Sequence, residues 1–582
     1  MATQLEPTRE DCRDIRGVRP FARHFDPGIE PSFSRYSDLL NFPAGSGRAH
    51  RKVANVFLLS TCYRDRRNVH FQQCVRLIVL CSWPLIASAA AGNDGLHIGD
   101  LACDPWGAAK EGSAPEEPAP AVMLSNGPAL EQTICTATNA ASPPNPCSLS
   151  HKGVFYANDF SYLDDPNATS CLGDCLKLIP VAGGDCGALD VGGQLRMRYH
   201  HEEGMGQDVA GPGVSRFEFN NHDFVLTRLR LYTNWKVSDW LRVYQEGIFA
   251  EASDDNGTYA ARPIDRNYGD FLNLFADIGM TDDATLRVGR QELLFGAERL
   301  ISPLDWANTR RTFEGARLLL KGDDWTTDAF YTYFVPVVPN RLDEADYDQA
   351  FYGLYNTYAG VESLTVDAYY IGYDNQNVGL DSDFSIHTLG LRLNGQLTDQ
   401  WLFEFEGGPQ FGRQSGLGLD HEAAFATAGI GRKLNDVLPW SPTLWCYYDY
   451  ASGNNFGGDF NRFNQLFPLA HRYFGFIDAV QRSNVEAPNV LLTAAPSADW
   501  TLQFWYWHFM SNQASDIVPA IGGTPPQSAA SQDYGDELDM TVKYDLGPRS
   551  NVLFGWSHLW RGNKILAPND ADFLYTQWEL NF

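Results

Sequence analysis

The sequence predicts an all-β protein: a single large antiparallel transmembrane β-barrel, preceded by a Cys-containing low-structure extension. Three observations carry that expectation. The chain is rich in aromatics, with 15 Trp, 26 Tyr and 35 Phe, yet its mean hydropathy is negative. A wall whose residues alternate between lipid and water has that composition. Second, the C-terminal stretch DADFLYTQWELNF alternates to its last residue. Leu574, Thr576, Trp578, Leu580 and Phe582 share one face, and Tyr575, Gln577, Glu579 and Asn581 the other, which is the period of a strand. A strand that must be paired throughout fits a closed sheet, because closure leaves no free edge. Third, no stretch has the roughly 18 uninterrupted apolar residues of a membrane helix. A chain that crosses lipid must then do so as a barrel, where every backbone group is paired.

One apolar run does occur, VRLIVLCSWPLIASAAAGNDG, beginning at Val75. Arg76 gives the positive charge, residues 77–91 the apolar core, and Ala87, Ala89, Ala90 and Ala91 the small residues for cleavage. Residues 73–91 therefore read as a secretory signal peptide, with a short buried helix as the competing reading. Residues 1–72 are Arg-rich and show no clear period. They read as a spurious or long pre-signal segment, with translation expected to start at a non-Met codon such as that of Val69. Residues 1–91 hold 13 Lys/Arg and 8 Asp/Glu within a chain of net charge −28. The remainder is strongly acidic, which argues against nucleic acid as a partner.

Cys12, Cys62, Cys74 and Cys81 fall before or within the signal, and Cys446 stands alone downstream. Between them lie Cys103, Cys135, Cys147, Cys171, Cys175 and Cys186, which predict up to three disulfides whose pairing stays open. There is no Cys-x-x-Cys-His, and CLGDC has three residues between its cysteines, so neither haem nor metal is expected. Residues 92–186 also carry the Pro/Ala-rich stretches PWGAAKEGSAPEEPAPAV and NAASPPNPC. They read as a stapled or partly disordered periplasmic extension, in which HKGVFYANDFSYLDD is the part expected to order locally.

From residue 187 onward strands and turns take over. Val191, Leu195, Met197 and Tyr199 oppose Gln194, Arg196, Arg198 and His200. Val225, Leu229, Leu231 and Trp235 oppose Arg228, Arg230 and Asn234. Leu272, Leu274, Ala276 and Ile278 oppose Asn273 and Asp277. Leu389, Leu391 and Leu393 oppose Arg392; Trp401, Phe403 and Phe405 oppose Glu404 and Glu406. Leu538, Met540, Val542 and Tyr544 oppose Glu537, Asp539 and Lys543. Turn clusters such as SDDNG, NQNVGLDSD, GRQSGLGLD and ASGNNFGGD separate the runs. A soluble sandwich has an apolar inner row and a mixed outer one. Here one row is almost purely apolar and the other is charged in mid-strand, as in a lipid-facing wall around a wet lumen. Trp235, Trp240, Trp401 and Trp560 near run ends fit interfacial girdles. At about 20 to 25 residues per strand and loop, the region holds roughly 16 to 20 strands.

The stretch GRQELLFGAERLISPLDWANTRRTFEGARL, Gly289 to Leu318, resembles the signature of the alginate export family of outer-membrane barrels. FNQLFPLAHRYFGFID, GDELDMTVKYDL and GWSHLWRG resemble that family's later landmarks, in matching order. The resemblance covers residues 187 to 582 and leaves out the Cys-rich extension. It implies an 18-stranded, loop-gated, electropositive channel that passes a negatively charged polyuronate outward, and a monomer.

A polyanion crossing a low-dielectric wall needs fixed cations. Guanidinium groups suit the task, since each pairs a carboxylate through two parallel hydrogen bonds and keeps its proton. Alternation points Arg196, Arg198, Arg228, Arg230, Arg287, Arg311, Arg317 and Arg392 to the lumen, and these are the candidate substrate-binding residues. The competing reading makes each a partner of a luminal carboxylate that only stiffens the barrel. Glu404, Glu406, Glu537 and Asp539 point inward from later strands, so a transverse field is expected, as general porins also have. Arg290 falls in phase with Leu286 and Val288 and would face lipid unless Gly289 marks a bulge, and a bulge is expected there. Arg310 and Arg311 also read as loop anchors that Asp305 could tether.

No Gly-x-Ser-x-Gly, His-Glu-x-x-His, Walker or Rossmann pattern is present. Ser557 and His558 are neighbours in a strand and face opposite sides, and His471 and His508 are isolated, so no catalysis, metal or cofactor is expected. The expected protein is an outer-membrane channel for anionic polysaccharide by passive diffusion. The alternatives are a porin for small anionic solutes and a closed carbohydrate-binding surface barrel. Outer-membrane lipid surrounds it on this reading, and the terminal strand ending in Phe582 is what the barrel-assembly machinery would recognise.

Overall fold

Alternating rows become strands from Ala188 to Asn581 because each places one row against hydrocarbon and the other inside. The computed structural model describes residues 146–582, apart from 166, 169, 207–216, 218–220, 254–258, 260 and 520–523. Residues 1–72, the expected signal segment 73–91, Cys103 and Cys135 lie outside the described residues. The strands are β1 Ile179–Pro180, β2 Ala188–Glu203, β3 His222–Ser238, β4 Leu241–Ala252, β5 Asn267–Thr281, β6 Ala284–Gln291 and β7 Thr312–Lys321. They continue with β8 Trp325–Val335, β9 Gln349–Val361, β10 Leu364–Gln376, β11 Asp383–Gln396, β12 Trp401–Gln414 and β13 Leu419–Lys433. The last six are β14 Thr443–Ala451, β15 Val485–Ala494, β16 Trp500–Met510, β17 Asp533–Gly547, β18 Ser550–Arg561 and β19 Ala571–Asn581. Each of β2 to β19 pairs antiparallel with its sequence neighbour, and β19 pairs with β2, so 18 strands close into a barrel. The short β1 pairs only with the first residues of β2. Pairing runs to the final residue, where Phe582 and Gly193 exchange both backbone hydrogen bonds.

Most of the tightest turns share one end. Turns such as 239–240, 282–283 and 548–549 lie at the end that also carries residue 188 and Phe582, while 292–311 and 452–484 leave the other end. In outer-membrane barrels the short-turn end is periplasmic. Met197, Leu274, Leu391, Val490 and Phe554 are exposed in mid-strand on the outer face. Trp240, Trp325, Trp401, Trp440 and Trp500 are exposed along the short-turn rim, and Trp560 along the opposite one, as interfacial girdles require.

Three expectations are corrected. Leu272 does not share the outer row with Leu274. Glu246 pairs Asn273 and Gly247 pairs Phe271, so Leu272 is the extra residue of a bulge and is buried. Trp235 is buried at the rim, where Val181, Cys186 and Leu189 pack against it and its Nε1 donates to the Cys186 carbonyl. No register shift occurs at Gly289, which has φ +130° and pairs directly with Phe275 and Gly315. Arg290 keeps its outward phase and is neutralised by Asp270 and Glu314, each at 3.3 Å, while donating to the Asp343 carbonyl at 2.7 Å.

Among the described residues, three long segments of the chain enter the interior. From the long-loop end, residues 292–311 and 452–484 meet each other at the bridge between Ile301 and Phe467. Leu293, Phe295, Leu300, Phe463, Phe467, Phe474 and Ile477 form one apolar cluster with the inward wall residues Phe313, Phe351, Tyr373, Phe425 and Trp507. From the short-turn end, residues 146–187 add short helical turns and the disulfide Cys147–Cys171. Cys175 and Cys186 are also disulfide-bonded.

Candidate functional site

Strands β2 and β3 place Arg196 directly opposite Arg228, with Arg198 and Arg230 on the same inward face. Like charges in register repel, so this pairing requires an anion from elsewhere. The inward loop 292–311 supplies it. Asp305 Oδ1 lies 2.8 Å from Arg228 Nη2 and 3.9 Å from Arg196 Nη1, and also pairs with Arg310. The same guanidinium groups hold the loop backbone. Arg196 donates to the carbonyls of Asp305 at 2.7 Å and Ala307 at 3.1 Å, and Arg228 to the same two at 3.1 and 3.2 Å. Arg198 donates to the Trp306 carbonyl at 2.7 Å and stacks its guanidinium 3.6 Å over the indole.

Beside this group, Arg230 pairs with Glu246 at 2.6 Å and lies 3.7 Å from Glu292, which also receives Arg310. Arg196, Arg198, Arg228, Arg230 and Arg310 form ion pairs only with Glu246, Glu292 and Asp305 among the described residues, while Glu579 stands directly across from Arg196 on β19 and Asp265 adds negative charge near Arg198. The arginines are almost fully buried, yet the Asp305 side chain is 51% exposed. Nε and Nη1 of Arg198 and Nη2 of Arg230 lack a hydrogen-bond acceptor among the described residues. The site therefore surrounds one accessible carboxylate with several guanidinium groups and keeps unused N–H donors beside it.

The remaining candidate arginines do not join this cluster. Arg287 pairs with Asp277 at 2.7 Å, and Arg317 with Asp328 at 2.8 Å. Arg392 sits among Asp367 at 3.0 Å, Glu404 at 3.2 Å and their neighbour Arg299, which spans Glu404 and Glu406 at 2.8 and 3.1 Å. Arg311 precedes β7 and does not project from the wall as alternation suggested. It donates to the carbonyls of Ser302 and Pro468, each at 3.2 Å, and so ties the two inward loops together. Glu537 and Asp539 receive the backbone N–H groups of Ile477 and Phe476 at 2.9 and 3.3 Å. The acidic wall thus meets loop donors.

His471 stacks on Trp306 with ring centroids 3.5 Å apart and bonds to Asp478 at 3.1 Å. His508 pairs with Asp536 on the outer face, and His558 with Asp572, so Ser557 and His558 do face opposite sides.

Sequence reasoning missed Glu246, Glu292 and Arg299. Glu246 was within reach, because it lies in the alternating run LRVYQEGIFAEA and is opposite the arginine-bearing β3. Asp277 and Arg287 face each other across the hairpin turn at 282–283, a register that turn length alone suggests. Arg299 and Glu292 sit on a loop, where no period marks direction.

The sequence matches the alginate export family over residues 188–575. It belongs to that family. Of the alginate export fold's features, the closed barrel and the lipid-facing belt are those of an outer-membrane protein. No curated protein matches the chain. Similar solved structures include three from Pseudomonas aeruginosa. OpdQ is 14% identical, over 68% of this chain and 97% of that one, with a TM-score of 0.46. OccD3 (OpdP) is 11% identical, over 76% and 99%, with a TM-score of 0.48. OpdK with vanillate is 12% identical, over 68% and 98%, with a TM-score of 0.47. The family match starts at residue 188, so the segment 146–187 inside this alginate export barrel lies outside it.

Proposed function

We propose that this protein is an outer-membrane channel for carboxylate-bearing anions, foremost an anionic polysaccharide of the polyuronate class, crossing by passive diffusion without catalysis or cofactor. The observation that carries this reading is Asp305. Its side chain is half exposed, and Arg196, Arg228 and Arg310 converge on its Oδ1. A uronate carboxylate can offer an oxygen to the same donors. In this reading Asp305 occupies the position of a substrate carboxylate, and solute passes when loop 292–311 yields it. Fixed guanidinium groups offset the desolvation of each carboxylate in turn, while several sites in succession keep binding weak enough for release.

The packing of loops 292–311 and 452–484 across the interior favours a second reading, a porin for small carboxylates, since a short anion displaces less of the loop. Planar-bilayer conductance of the detergent-purified full chain separates the readings. Anion selectivity with current interrupted by oligouronate supports the polymer channel. Selectivity without interruption supports the small-anion porin, and no current at all supports a closed carbohydrate-binding barrel. Arg196→Glu and Arg230→Glu together should reverse the selectivity. Selectivity equal to wild type in that double variant removes the arginine cluster as the anion path.

A further inference from the structure

Residues 147–171 form a finger closed at its base by the Cys147–Cys171 disulfide. Its tip stands inside the barrel. Phe155 and Tyr156 are buried against the inward-facing Tyr232, Tyr244 and Phe275 of β3, β4 and β5. Guanidinium groups of the wall lie over the rings of the tip, with Arg230 3.9 Å from the centre of Phe155 and Arg287 4.4 Å from that of Tyr156. Arg242 donates to the Tyr156 carbonyl at 2.8 Å. The tip also touches the loop that descends from the other end. Tyr156 Oη donates to the Glu292 carbonyl at 2.8 Å, and Arg310 Nη2 to the Gly153 carbonyl at 3.0 Å.

The base of the finger is fixed to the periplasmic rim. Arg549, in the turn 548–549, is almost fully buried and donates to Ser150 Oγ at 2.9 Å, Tyr162 Oη at 3.1 Å and Asp174 Oδ1 at 3.2 Å, and it also bonds to His151. Lys177 Nζ donates to the carbonyl oxygens of Val191 and Phe582. Beyond the finger, the Leu178 N–H donates to Asp190 Oδ1 at 2.8 Å and returns the chain to β2.

We infer that the finger is a periplasmic gate: it closes the lumen below the arginine cluster and must withdraw from Arg230 and Arg287 before an anion passes. The inference rests on the channel reading above. Three features support a separable element rather than part of the wall. The finger lies outside the family match. Its described residues pair with no barrel strand, and among the described residues before β2 only β1, after the finger, joins the sheet. The anchors of its base are side-chain bonds concentrated on one residue, Arg549, which stands in a turn and can change without breaking a ladder. The disulfide keeps the two limbs together, so the finger enters or leaves as one body and its tip stays folded for re-entry.

The test uses the full chain, purified in detergent, as wild type, as Arg549→Glu and as Cys147→Ser/Cys171→Ser. Heat-modified mobility on gels confirms a folded barrel in each, and limited proteolysis within residues 147–171 reports whether the finger is released. Single-channel conductance in planar bilayers is the readout. A several-fold larger or more often open conductance in the released variants is expected. Equal, non-zero currents in wild type and in variants whose finger is cleaved would overturn the gate and leave the channel standing. Released variants that pass no current overturn the gate and the channel reading together. A finger that stays protease-resistant in Arg549→Glu also overturns the proposal, because Arg549 is then not its clamp.

Discussion

Arg310 donates from Nη2 to the carbonyl of Gly153, 157 residues earlier in the chain, at 3.0 Å. The same guanidinium pairs with Asp305 and Glu292. One side chain therefore joins the N-terminal finger, the inward loop and, through Asp305, the arginines of β2 and β3. The two obstructions that enter from opposite ends meet at this point. Their stabilities are coupled, since a group cannot leave without stranding buried charge.

That coupling is measurable. In a cycle of Arg310→Ala and Tyr156→Phe, each change alone should raise proteolysis of both segments. The interaction between the two should be about 0.5 to 3 kcal/mol, as for residues in one hydrogen-bond network. Additive effects would mean that finger and loop are held independently.

Acid should loosen the finger. His151 sits half-buried between Phe155 and Phe160, and faces Arg549 and Lys177, with Asp174 and Tyr162 sharing the same guanidinium. Burial first, then the two cations, push its pKa down from 6.5 to about 2. The docked imidazole thus stays neutral where a released one becomes charged. The His151 contribution to docking is unchanged above about pH 6.5 and weakens as pH falls below it, by up to about 1.4 kcal/mol per unit. Lys177, pushed down to about 8 by burial and Arg549, acts in the same direction at higher pH. Hydrogen exchange of residues 150–160 at pH 7 and pH 5 checks this: protection should fall at pH 5 in wild type and fall less in His151→Phe.

Asp305→Asn should make the pore more selective for anions. The amide keeps the shape, but a unit charge about 4 Å from a guanidinium acts with about 4 kcal/mol at an effective dielectric of 20. Its loss leaves Arg196 and Arg228 to mobile anions. The reversal potential in a salt gradient should move toward the anion limit, and a shift toward cations would contradict the role given to Asp305.

On the opposite wall the charges hold the barrel together. Arg299→Ala should lower the heat-modification temperature, because Glu404 and Glu406 lose a buried partner at a cost of about 3 to 5 kcal/mol. Ion selectivity should change less than in Asp305→Asn. A variant as heat-stable as wild type would show that Arg392 suffices for Glu404.

Gly289→Ala should also weaken the barrel. With φ at +130° the position favours glycine, and a Cβ there would strike the Leu274 carbonyl oxygen. The strain alone is worth about 1 to 3 kcal/mol. Heat-modification gels would detect it, and unchanged behaviour would mean that β5 and β6 rearrange at no cost.

The lipid-facing rows were legible in the sequence because side-chain direction in a strand has period two, a local property. Met197 against Arg196 and Arg198, or Leu391 against Arg392, needed no partner to be placed. The exceptions were local too: Leu272 slipped inward because a bulge consumes one residue without altering composition. The site was only half legible, since alternation aims an arginine inward without saying what it meets.

What the sequence by itself determined was the closed all-β wall and the inward aim of Arg196, Arg198, Arg228, Arg230, Arg287, Arg317 and Arg392. What only the tertiary structure decided was that Asp305 reaches Arg228 from 77 residues away and that Gly153 lies under Arg310. Strand direction follows from each residue's neighbours in the chain. The contents of the lumen follow from which distant loops fold inward, and that depends on buried charge and apolar surface from many strands at once.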